Sequence, residues 1–152
     1  MGTTAGAVCI VSSELESLFP QLASTPYTVT SPETTDYNCI AWAAGASDCW
    51  WWPDLDESCF WPAGVARHET LSAFIHAFAF LGYSVCVTGD LESDREKVAI
   101  FAANGQPTHA ARQLPDGLWT SKCGAGHDIV HAMDGLNGNI YGRPAVFLAR
   151  SV

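Results

Sequence analysis

The sequence predicts an α+β domain in which N-terminal helices, one of them carrying a cysteine, pack on a C-terminal antiparallel β-sheet. Three observations predict it. Leu71, Phe74, Ile75, Phe78 and Leu81 recur at the i, i+3, i+4, i+7 spacing of an amphipathic helix over residues 69–81. From Tyr83 onward the apolar residues come in short runs rich in β-branched and aromatic side chains, which suit strands. Asn104-Gly105 and Pro115-Asp116-Gly117 separate these runs as tight turns, and tight turns make sequential strands antiparallel neighbours.

In chain order, Ser12 or Ser13 opens a short helix over residues 14–19 that Pro20 interrupts or ends. Residues 26–35, rich in Thr, Ser and Pro, form an extended loop or a short edge strand. A second helix starts at Cys39, capped by Asp36 or Asn38, runs to Ala44 and is closed by Gly45. Trp50, Trp51, Trp52 and Trp61, with prolines and acids among them, cannot form a regular helix. Their rings either plug one end of the core or wall a groove. After the helix at 69–81 come strands at 83–87, 98–102, 108–114 and 118–122, a helix at 128–136 and a last strand at 145–149.

At 152 residues the chain is long enough for one domain with a sizeable core, and we take residues 1–152 as a single unit. A net charge of -9 argues against nucleic acid and anionic membrane as partners, because phosphate recognition needs clustered Lys and Arg. Residues 1–13 lack a basic n-region and a strong apolar run, and no apolar stretch reaches transmembrane length. The six cysteines, Cys9, Cys39, Cys49, Cys59, Cys86 and Cys123, are therefore expected as free thiols in a reducing, cytoplasmic setting.

Cys39 is the candidate nucleophile. In the first turn of its helix a thiol feels the positive end of the dipole, which favours the thiolate. Such a nucleophile needs a base, and His109, at the start of a strand beside small Ala110 and Ala111, is the candidate. If the hairpin turn centres on Asp116, facing residues sum to about 232, which puts Ser121 on the His109 face. Ser121 or Asp128 would then orient the imidazole; topology favours the first and charge the second. The Cys39 amide is one oxyanion donor by geometry. Arg112 and Lys122, on paired strands near this place, meet either a substrate carboxylate or surface acids. Cys123, His127 and His131 have weak zinc-site spacing, and no metal or other cofactor is expected.

These residues resemble the NlpC-type branch of the papain-like cysteine peptidases. Pro26-Tyr27 stands twelve residues before Cys39, as in that branch, while Asn38 replaces its usual Asp and Ile40-Ala41 its usual Ser-Gly. The chain is also similar, over residues 37–150, to an uncharacterised bacterial family sharing YNCIAWA, WWP, THAARQL and WTSK. The resemblance implies a papain-like fold, Tyr27 as a second oxyanion donor and a third catalytic residue close to Ser121. Together these expectations describe a cysteine hydrolase of peptide or amide bonds acting on a peptide or protein substrate. Cys39 is the nucleophile, His109 the base, and Trp50, Trp51, Trp52 and Arg112 contact the substrate. The same machinery runs deamidation or transamidation. The alternative is a non-enzymatic module that binds peptide in a Trp-lined groove.

Overall fold

The computed structural model describes residues 13–123 and 126–152. Seven strands form one sheet: β1 (Tyr27–Val29), β2 (Ser84–Cys86), β3 (Arg95–Ala103), β4 (Gln106–Gln113), β5 (Trp119–Lys122), β6 (Asp128–His131) and β7 (Arg143–Ser151). Their order is β1-β6-β5-β4-β3-β7-β2, and every pairing is antiparallel. The helices are short: α1 at residues 13–18, α2 (Cys39–Ala44) and α3 (Leu71–Ala79).

This architecture overturns the expected papain-like division into N-terminal helices and a C-terminal sheet. The sheet is the centre of the molecule, and its edge strand β1 comes from the N-terminal half, paired to β6 through Tyr27↔His131 and Val29↔Ile129. Both faces are covered. On one, α2, α3 and the Trp-rich loop bury Ile40, Phe74, Phe78, Trp51 and Trp61 against Val98, Ile100, Ala110 and Leu148. On the other, Leu15, Phe19, Leu22 and Leu136 cover Ala99, Phe101, Ala111, Trp119 and Ile129. Successive strand residues point to opposite faces, so β3 and β4 feed both cores from alternate positions.

The second correction is the helix expected at 128–136, where residues 128–131 are β6, paired on both sides. Ile129 and His131 alternate with Asp128 and Val130, and two waiting partners decide in favour of a strand. Elsewhere local signals hold. Thr70 caps α3 by accepting from the Ala73 amide, and Asn104 (φ 53) and Gly105 (φ 79) take the left-handed conformations of a type I′ turn between β3 and β4. The β4–β5 register is Arg112↔Thr120 and Gln113↔Trp119, the predicted sum of 232. Cys39, Cys49, Cys59, Cys86 and Cys123 are free thiols; Cys9 and Ser12 lie outside the described residues. No helix among the described residues is long and apolar enough to cross a membrane.

Candidate functional site

Asn38 caps α2: its Oδ1 accepts from the Ala41 amide, and also from the Trp51 amide, while its Nδ2 donates to the Trp51 carbonyl. The cap is thereby locked to the Trp-rich loop, and Cys39 is fixed at the first helical position. The thiol is buried. Burial pushes its pKa up to about 11, against the pull of the backbone amides of Ala110, Ile40 and Cys39 itself and of the Lys122 ammonium. The expectation of a dipole-activated thiolate is corrected by this balance. Six residues of helix do not offset loss of water around the charged form.

The Ala110 amide reaches the thiol because the sheet parts there. Leu114 donates to the Leu118 carbonyl, and Arg112 faces Thr120, so every second residue of β4 points its polar groups at β5. Ala110 is next in that series, but the β4–β5 ladder ends at Arg112↔Thr120. The sulfur takes the place of a strand partner.

His109, one residue earlier, projects to the opposite face. Its ring is fully buried, stacked on Tyr141 with centroids 4.0 Å apart and edge-on to Phe101 at 5.2 Å. A register shift at Phe101 bulges Thr108 out of the β3–β4 ladder, and Thr108 Oγ1 donates to the Tyr141 carbonyl, which holds that ring over His109. Gly142 lets the chain pass, since a Cβ there would lie 2.0 Å from the Ala102 carbonyl oxygen.

The hydrogen bonds around His109 determine its tautomer. His131 Nδ1 lies 2.7 Å from the Ala132 carbonyl oxygen, which only accepts, so Nδ1 carries the hydrogen. Burial pushes the His131 pKa down to about 4, leaving the ring neutral with Nε2 as an acceptor. Ser121 Oγ, 2.7 Å away, donates to it, and in turn accepts from His109 Nε2 at 2.9 Å. Burial first, then the neighbouring His131, hold the His109 pKa well below its usual value. His109 is thus neutral at pH 7 with a bare Nδ1, which accepts from no group among the described residues.

Among the expected site residues, the structure brings His109 and Ser121 together on one face of β4 and β5, while Cys39 lies on the α2 face and shares no hydrogen bond with His109 among the described residues. Asp128 does not orient His109: it lies on the α2 face, where its Oδ2 accepts from the Tyr37 hydroxyl at 2.6 Å. His131, which sequence reasoning weighed only as a metal ligand, takes the orienting place through Ser121. Placing residues 128–136 on a strand would have revealed it, since β-alternation sets His131 and Ser121 on one face. Tyr27 donates to Glu16 Oε2 at 2.6 Å instead of facing the thiol. Arg112 donates to the Trp42 carbonyl near the end of α2 and lies over the Trp42 ring. Among the described residues, no three metal-ligating side chains converge.

A cleft of about 200 Å³ opens beside the relay, lined by Tyr141 and Cys123 together with Leu15, Phe19, Ile140 and His127. None of the four tryptophans lines it. Trp51 and Trp61 are buried, Trp52 packs edge-on against Phe74, and half-exposed Trp50 donates to the Thr35 carbonyl. Trp51, Trp52 and Trp61 pack in the core, and Trp50 braces the segment before Cys39.

Fold and site together define a sheet-centred domain with a buried thiol on one face and a histidine–serine–histidine relay on the other. The chain belongs to the family described as a domain of unknown function (DUF7689), whose model matches residues 28–149. No curated protein and no solved structure matches it.

Proposed function

We propose that the protein is a cysteine-nucleophile hydrolase of peptide or amide bonds, acting on a peptide or protein substrate. One observation carries the proposal. The bare Nδ1 of His109 belongs to the residue immediately before Ala110, whose amide points at the Cys39 thiol. Consecutive Cα atoms lie about 3.8 Å apart, so the backbone that meets the nucleophile adjoins the residue that carries the base, while the two side chains lie on opposite faces of the sheet.

Both groups are neutral at pH 7, which sets the mechanism. His109 Nδ1 takes the thiol proton through a bridging water at the gap between β4 and β5 as Cys39 attacks the carbonyl, so this is general-base catalysis rather than a standing ion pair. The amides of Ala110, Ile40 and Cys39 meet the sulfur and stabilise the charge left on it as the proton departs. His109 returns the proton to the leaving amine, giving a thioester, and water activated by the same nitrogen releases the acid. An amine in place of water gives transamidation. Free thiols at five described positions support a reducing, cytoplasmic setting. The rival reading, a peptide-binding groove walled by tryptophan, lacks support because Trp51, Trp52 and Trp61 pack in the core.

The test is hydrolysis of a peptide-amide library by wild type, Cys39→Ala and His109→Gln. Each variant should lose about 10³-fold or more in kcat/KM. Hydrolysis retained by Cys39→Ala would overturn the proposal.

A further inference from the structure

Lys122 is fully buried, yet the hydrolysis just described gives it no task. An ammonium is a compact, strongly hydrated charge that is costly to bury, and a methionine would fill the same space more cheaply. Its contacts gather the segment that leads into the nucleophile. Nζ donates to the Thr34 carbonyl and to the Gly126 carbonyl, both at 2.7 Å, and lies 5.3 Å over the Tyr37 ring. Thr34 and Tyr37 belong to the segment that leads into Cys39; Gly126 belongs to the β5–β6 connection. On β5, Lys122 alternates with Ser121, so its side chain lies on the α2 face with Thr120, whose hydroxyl accepts from the Trp42 indole of α2.

We propose that Lys122 is the counter-charge of the Cys39 thiolate, facing the nucleophile across the parted strands and tying its entry segment to the β5–β6 connection. The proposal rests on Cys39 being the nucleophile, but concerns ionisation of the thiol and needs no substrate. The charged and titratable groups around Lys122 are Asp128 on β6, Cys123 after β5, Glu33 in the entry segment, and Cys39 itself; the Tyr37 hydroxyl is held by Asp128. Lys122 is the cation in this set. When the thiol proton moves to His109 Nδ1, the negative charge left on Sγ faces a fixed ammonium inside a closed site, where water does not screen it.

The experiment measures iodoacetamide alkylation of Cys39 by peptide mass spectrometry at pH 7, 8 and 9, in wild type and in folded Lys122→Gln, Lys122→Met and Lys122→Arg. Over this range the rate follows the thiolate fraction. Gln keeps donors for Thr34 and Gly126 but removes the charge, which guards against a variant that merely misfolds. Lys122→Gln and Lys122→Met should alkylate about 10-fold more slowly at each pH, equivalent to one unit of thiol pKa, while Lys122→Arg stays near wild type. Rates in guanidinium should be equal for all four. A Lys122→Gln rate within about two-fold of wild type, or a Lys122→Arg rate as low as that of Lys122→Gln, would overturn the proposal. Should Lys122→Gln slow alkylation in a chain that hydrolyses no amide, the counter-charge stands and the hydrolase reading falls.

Discussion

His109 and His131 are buried neutral, and at the scale of single residues this makes the protein sensitive to acid. A histidine whose folded pKa lies below its unfolded value prefers, when folded, to stay unprotonated. Its contribution to stability is fully present above the unfolded pKa and is lost as pH falls toward the folded one. For His131 that window runs from about 6.5, its ordinary value, down to about 4. The loss over this window is on the order of 3 kcal/mol for His131, with His109 adding in the same direction. Urea midpoints measured from pH 7 to pH 4 should fall through the window, and His131→Phe should flatten that fall. A midpoint independent of pH would mean that the relay is not buried neutral. Removing the link has a different signature: Ser121→Ala strands two buried ring nitrogens, and should cost about 1–3 kcal/mol at pH 7.

At the scale of elements, α2 is too short to sustain itself, and its two ends are held from outside. Asn38 satisfies one amide of the first turn and both backbone groups of Trp51; Arg112 meets the Trp42 carbonyl near the other end. Asn38→Ala removes the cap and leaves buried Trp51 backbone groups without partners. We expect it to cost about 2–4 kcal/mol in chemical denaturation, more than an exposed cap residue. It should also increase alkylation of Cys39, because the helix start that buries the thiol loosens. In sequence, Arg112 fits either a substrate carboxylate or surface acids. Its actual partner, a helix-end carbonyl, appears only once β4 lies beneath α2.

Across the whole molecule, the sheet separates two cores, and the tryptophans belong to the one under α2 and α3. Trp51→Ala and Trp61→Ala should each cost ~3–5 kcal/mol, as large-to-small changes in a packed core do. Trp50→Ala should cost no more than ~1–2 kcal/mol, since its ring is half exposed and one hydrogen bond is lost. Thermal melts of the three variants separate the cases; equal losses would place Trp50 in the core as well. The cleft beside Tyr141 lies against the other core, so none of these changes should alter it directly.

Several features were determined locally and were therefore legible in the sequence. The α3 stripe with its cap, the Asn104-Gly105 turn and the 232-sum register of the β4–β5 hairpin all depend on residues a few positions apart, where propensity and turn geometry act directly. Cys39 at the start of a helix and Ser121 on the His109 face follow from the same short-range rules. What only the tertiary structure decided depends on partners far apart in the chain. Residues 128–131 became a strand because β1, about a hundred positions earlier, supplies one edge and β5 the other. That choice places His131 behind Ser121 and turns Asp128 toward Tyr37. The Cys39 thiol was expected to ionise readily and does not, because desolvation is set by everything packed around a group, whereas the dipole is set by its own helix.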